Sequence, residues 1–279
     1  MINIFYRDGH LQGRMSGPMK VIENLERSLT DCGVEYSVNE EYYENNLILH
    51  WDTPHIQRYH SLKNKDKLLV GPQIWPFAPD FHELKEYTSV LVPSRWCEES
   101  YEKFFPETKT SIWPVAIYAP EVSGTPTTDC LIYHKNRSNE DLAYVKQLLS
   151  DRRLTYTQLQ YGSYSQDDFR QALSSVRFCI IIDNTESQGI AIGEMMAAGK
   201  PLFVWDQPVW DHMGEQYKID ATTVPYWDDM CGEKTTERSE LSNLFDKFLS
   251  KRTSYTPAEY IDRELSPEKT IKTLLDLYV

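Results

Sequence analysis

A chain of 279 residues that is 41% hydrophobic and 25% charged can pack a core, which excludes global disorder. A formal net charge of −13 argues against a nucleic-acid partner and against broad docking on anionic lipid, leaving only local peripheral membrane contact open. The 5 cysteines are scattered and form no CxxC pair, which excludes a disulfide frame or zinc knuckle.

The elements alternate along the chain. Ile2–Tyr6 reads as a strand and Pro18–Thr30 as a helix, with a proline suited to its first turn and Gly33 just past its end. Val34–Asn39, Leu47–Trp51, Leu68–Ile74 and Val90–Pro93 read as strands, Arg95–Phe105 as a helix and Ser111–Ala116 as a strand. Right-handed crossovers make such a sheet parallel. The polar stretch Glu121–Asp129 buries almost nothing and reads as a linker.

Alternation restarts with strand Cys130–His134, helix Glu140–Asp151, strand Thr155–Gln160, helix Gln166–Val176 and strand Phe178–Ile182. A turn, a helix ending at Gly199 and strand Pro201–Trp205 follow. Glu237–Lys251, Thr256–Leu265 and Pro267–Tyr278 read as helices. The expected organisation is therefore an N-terminal domain over 1–122, a linker over 123–129, a second domain over 130–255 and closing helices over 256–279. Two α/β units so joined are expected to face a cleft, the usual home of small-ligand sites.

Three segments carry candidate chemistry. The loop Asp8–Pro18 follows the first strand, and Gly13 and Gly17 let backbone approach a ligand at a helix start. In LIYHKNRS, Lys135 and Arg137 project from the turn after a strand, where a diphosphate needs cations. In TESQGIAIGE, Glu186 and Glu194 stand with seven residues between them, around Ser187, Gln188, Gly189 and Ile190 at a helix start. Glu194 lies in a largely apolar helix and needs a partner, which a ligand hydroxyl would supply.

The E-x7-E pair, the Lys/Arg turn and the glycine loop resemble retaining glycosyltransferases of the GT-B fold, especially glycosyltransferase family 4. SGPMKVIENLERSL, VLVPSRWCEESYEK, AAGKPLFVW and the closing TPAEYIDRELSPEKTIKTLLDLY resemble that family too, so the likeness spans nearly the whole chain. It implies two Rossmann-like parallel-sheet domains facing a cleft, with C-terminal helices. It implies an enzyme moving a sugar from a nucleoside-diphosphate donor, UDP- or GDP-linked, to a hydroxyl of a glycan or glycoconjugate with retention. Lys135 and Arg137 would hold the diphosphate, Glu186 the sugar and Glu194 the ribose. Ser187, Gln188, Gly189 and Ile190 would give backbone contacts, and Tyr161 and Tyr164 would border the base. His50, Trp51 and Asp52 end an N-terminal strand and are acceptor-side candidates.

No metal and no cofactor are expected. The spacing of Asp228 and Asp229 does not fit a DxD site, and no HExxH or GxSxG motif occurs. Asp206, Asp211 and His212 read as loop residues. The start, MINIFYRDGH, lacks a basic flank and an apolar core of signal length, and no apolar run reaches membrane-span length, so the expected compartment is the cytoplasm. Rival readings are an epimerase or hydrolase on the same fold and a catalytically inactive sugar- or nucleotide-binding module.

Overall fold

The structure, a computed structural model, describes residues 1–7, 16–40, 45–49, 68–72, 89–212, 215–217 and 219–279. The chain forms two compact units, Met1–Ala116 with Leu265–Val279, and Ile117–Glu264.

In the first unit the described strands β1 (Ile2–Phe5), β2 (Tyr36–Val38), β3 (Asn46–Ile48), β4 (Leu68–Val70), β5 (Ser89–Val92) and β6 (Thr110–Ile112) form one sheet in the order β2-β1-β3-β4-β5-β6. All its pairings are parallel. Ile2, Ile4, Leu47, Val70 and Leu91 are buried, as parallel strands covered on both faces require. Helix α1 (Gly17–Asp31) starts at Ser16, whose hydroxyl caps the Met19 amide, with Pro18 in the first turn. Helix α2 spans Arg95–Phe104.

The second unit contains β7 (Thr128–His134), α3 (Asn139–Asp151), β8 (Tyr156–Gln160), α4 (Gln166–Ser175), β9 (Val176–Ile182), α5 (Ile190–Ala197) and β10 (Leu202–Trp205). The short hairpin strands β11 (Trp210–His212) and β12 (Glu215–Tyr217) follow, then β13 (Gly232–Thr235), α6 (Leu241–Lys251) and α7 (Pro257–Leu265). Its main sheet has the order β13-β10-β9-β7-β8, again parallel throughout. One face, with Ile132, Phe178, Ile180 and Phe203, packs on Leu149 of α3 and on Phe245 and Phe248 of α6. The ring centroids of Phe203 and Phe245 lie 4.8 Å apart.

The boundaries differ from those read in the sequence. Thr128 and Asp129 already belong to β7, where Asp129 accepts from the amide and hydroxyl of Thr155, both at 2.8 Å. The closing helices also divide: α7 ends the second unit, whereas α8 (Pro267–Asp276) belongs to the first. The cause is packing: Ile271 and Leu274 are buried, Trp113 donates to the Thr270 carbonyl at 3.1 Å, and Tyr278 donates to the Asn46 carbonyl at 2.8 Å. Strand β13 has no counterpart among the strands expected from sequence. Gly232 starts it with φ +145°, so close to β10 that a Cβ would meet the Leu202 oxygen at 1.8 Å.

Candidate functional site

The order of the second sheet fixes where a ligand can sit. β7 and β9 are neighbours although β8 falls between them in sequence, which makes their junction the topological switch point. His134 stands opposite Ile182, and the Lys135 amide donates to the Ile182 carbonyl at 3.0 Å. The Lys/Arg turn and the turn carrying Glu186 therefore leave the carboxyl ends of adjacent strands. Asn136 takes a left-handed conformation, φ 53°, and Ser138 then caps α3 by accepting from the Asp141 amide at 3.0 Å.

Lys135 and Glu186, distant in sequence, meet as an ion pair. The ammonium also lies 3.8 Å from Asp183 Oδ2 and 4.5 Å from the centre of the Tyr161 ring. Burial alone would depress the lysine, but Glu186 and Asp183 outweigh it and raise its pKa. Asp183 is pushed well above the ordinary 3.8, first by burial and then by Glu186, with Lys135 opposing. Its side chain is 0% exposed, and among the described residues its Oδ2 has no hydrogen-bond partner. Sequence reasoning misses this buried acid, because Asp183 reads as an ordinary turn residue after an apolar strand.

Arg137 has a different setting. It donates to the Asp183 carbonyl at 3.2 Å, the Trp205 carbonyl at 3.3 Å and Asp141 Oδ2 at 3.0 Å, and stacks 4.8 Å from the Trp205 ring centre. It stitches the turns after β7, β9 and β10 together. His134 lies between the Gln160 side-chain oxygen, 2.5 Å from Nδ1, and the Arg137 carbonyl, 3.0 Å from Nε2.

Helix α5 begins at Gly189, which has φ +72° and contributes no capping side chain. A helix start presents amides that lack intrahelical acceptors, here from Ile190 onward. Ser187 is half-buried and Gln188 buried just before it. Glu194 is 7% exposed and its charge helps raise the Tyr164 pKa after burial, so the two share one neighbourhood. The two tyrosines diverge: Tyr161 is exposed beside Lys135, while Tyr164 turns inward, stacks on Phe169 at 5.9 Å and donates to the Tyr133 hydroxyl at 3.2 Å.

The structure thus gathers Lys135, Arg137, Tyr161 and Glu186 around one switch point, with the start of α5 following the Glu186 turn. Gly17 belongs to the first unit and opens α1. Gly13, His50, Trp51 and Asp52 lie outside the described residues. Asp228 is held by Arg263 at 2.6 Å, and the described residues contain no group of three or more metal-ligating side chains.

No family model and no curated protein matches the chain. Solved structures do. The chain superposes on a point mutant of S. aureus TarM, in complex with fondaparinux, alpha-GlcNAc-glycerol and UDP, with a TM-score of 0.54 at 10% identity, over 85% of this chain and 56% of TarM. A second TarM structure gives 0.50 at 12% identity, over 85% of this chain and 55% of TarM. WaaG, a glycosyltransferase involved in lipopolysaccharide biosynthesis, gives 0.52 at 10% identity, over 98% of this chain and 99% of WaaG. The chain therefore spans little more than half of TarM and nearly all of WaaG. What it shares with them is a fold: two Rossmann-like parallel-sheet domains of the GT-B class.

Proposed function

We propose that this protein is a glycosyltransferase that moves a sugar from a nucleoside-diphosphate donor to a hydroxyl of a glycan or glycoconjugate, with retention at the anomeric carbon. The observation that carries this reading is the Lys135–Glu186 pair at the switch point of the second sheet, on a fold shared with WaaG, a glycosyltransferase, and with TarM, solved with UDP. Departure of a nucleoside diphosphate builds negative charge. Lys135 and the amides at the start of α5 answer that charge, and fixed donors of this kind usually supply the largest catalytic term.

The pairing of Lys135 suits an exchange of partners. A donor diphosphate replaces Glu186 on the ammonium, and the released carboxylate accepts from a sugar hydroxyl. Arg137, committed to two backbone carbonyls and Asp141, braces the turn that carries Lys135. Glu194 accepts from the ribose, and Tyr161 borders the base. The acceptor attacks from the face that the diphosphate leaves, and the leaving phosphate oxygen takes the acceptor proton. No protein base is then needed.

The test is a screen of UDP- and GDP-linked sugars by thermal shift, followed by nucleotide release measured with and without hydroxyl acceptors. Acceptor-dependent release with a retained anomeric linkage by NMR is the expected result. Release independent of acceptor assigns a hydrolase or epimerase instead, an inverted linkage removes retention, and binding without turnover assigns an inactive module.

A further inference from the structure

Asp206 follows β10 directly and reads in sequence as a loop residue, yet it is 7% exposed and accepts an unusual number of hydrogen bonds. Its Oδ1 accepts from the Thr222 hydroxyl at 2.8 Å, the Thr223 amide at 2.7 Å and the Gln207 amide at 2.9 Å. Its Oδ2 accepts from Lys234 Nζ and the Thr222 hydroxyl, both at 3.0 Å. Lys234 comes from β13, the edge strand beside β10, and the Asp206 amide itself donates to the Thr235 carbonyl at 2.9 Å. One carboxylate thus ties β10 and β13 to the segment at 222–223.

That segment in turn holds the candidate site. The Thr222 carbonyl accepts the Glu186 amide at 3.0 Å, and the Thr223 hydroxyl donates to the Asp183 carbonyl at 3.4 Å. Thr223 is 0% exposed, so its place in this chain of contacts has little room to change. We infer that Asp206 is the positioning residue for Glu186, acting through Thr222 and Thr223 to fix the turn that presents the carboxylate. A carboxylate suits this task because every group converging on it is a donor, and hydrogen bonds to an ionised acceptor are the stronger kind. The effect on turnover rests on the sugar-transfer reading; the effect on the position of Glu186 does not.

The experiment uses the full chain and three variants, Asp206→Ala, Asp206→Asn and Thr222→Val. Thr222→Val removes one hydroxyl at nearly constant volume, and it carries the test should Asp206→Ala fail to fold. Hydrogen exchange at the Glu186 amide is followed alongside kcat and KM for the nucleotide sugar that the parent turns over. The Glu186 amide is expected to exchange about tenfold faster in Asp206→Ala and Thr222→Val, as loss of a charge-assisted anchor implies. In the same variants kcat is expected to fall roughly 10²-fold, the scale of a reacting group misplaced by about 1 Å, with donor KM little changed. Asp206→Asn keeps an oxygen for the two amides and is expected to recover part of both effects. Unchanged exchange at Glu186 in Asp206→Ala or Thr222→Val overturns the inference. Faster exchange with unchanged kcat overturns its link to turnover. Should the parent turn over no nucleotide sugar while Glu186 exchange still rises in the variants, the sugar-transfer reading falls and the positioning role stands.

Discussion

Lys135 faces two acids at once, pairing with Glu186 while its ammonium lies 3.8 Å from Asp183 Oδ2. Its side chain and that of Glu186 are each 16% exposed, so solvent screens the pair only weakly. Under the proposed function the lysine has two separable tasks, balancing buried acids in the free protein and meeting a leaving diphosphate in the reaction.

Lys135→Met tests both. Removing one partner of a buried ion pair costs about 3–5 kcal/mol, so the unfolding midpoint falls. Turnover falls roughly 10²-fold, as for loss of one preplaced oxyanion donor. Adding Asp183→Asn removes one of the stranded acids and is expected to restore much of the stability but none of the turnover. Denaturant unfolding and steady-state kinetics on the single and double variants check this, and rescue of turnover by the second substitution would take Lys135 out of the leaving-group role.

Asp183→Asn alone is expected to stabilise the protein at neutral pH. An aspartate whose pKa is higher in the folded chain binds more protons folded than unfolded. Its penalty is therefore absent below the ordinary 3.8 and grows as pH rises from there towards the raised native value. Asparagine has no such charge to lose, and its amide can donate to Glu186. Melting temperatures of parent and variant from about pH 4 to about pH 8 should diverge as pH rises, with the variant higher. Parallel curves would mean that Asp183 is ionised in the fold.

Much of this arrangement is legible in the sequence, and the limits are physical. The runs that became β7, β9 and β10 are continuous and apolar because both faces of a parallel sheet are covered. Lys135 and Glu186 stand out because they interrupt the chain at strand ends. Other features carry no such mark. Arg137 is visible as a cation of the turn, but its partners, the main-chain oxygens of residues 183 and 205, are not, because backbone acceptors leave no residue type to recognise. Asp183 and Asp206 look like any turn aspartate, and only the fold makes one a buried acid and the other a hub. Strand β13, Gly-Glu-Lys-Thr, is short and half charged because it is a sheet edge, which erases the apolar signal of a strand. α8 joins the first unit through Trp113 and Tyr278, long-range contacts that helical periodicity does not encode.

Glu194→Gln keeps the shape of a buried side chain in α5 and removes its charge. If Glu194 accepts from a ribose diol, nucleotide affinity drops about tenfold, the lower end for a hydrogen bond to a charged group. The fold should persist, since Gln is as good a helix former as Glu. Titration calorimetry with UDP and GDP, beside a thermal melt, separates the two effects. Equal affinity in parent and variant would remove Glu194 from the nucleotide site.

Gly189 and Gly232 both have positive φ, but for different reasons, and alanine should distinguish them. At Gly189 an added Cβ meets only ordinary contacts, Glu186 Cβ at 3.6 Å and Ile192 Cβ at 3.7 Å, so the cost is the left-handed backbone itself, about 1–2 kcal/mol. That strain falls between Glu186 and the first amides of α5. Gly189→Ala is therefore expected to melt a few degrees lower and also to weaken nucleotide binding. At Gly232 the added atom would sit 1.8 Å from the Leu202 oxygen, which forces β13 away from β10. Gly232→Ala should lose more stability than Gly189→Ala, and it should do so by loosening Lys234 from Asp206, a full strand away from the α5 start. Thermal melts rank the two, and nucleotide titration of Gly189→Ala shows whether the left-handed glycine serves the ligand or only the turn: unchanged affinity would assign it to the turn alone.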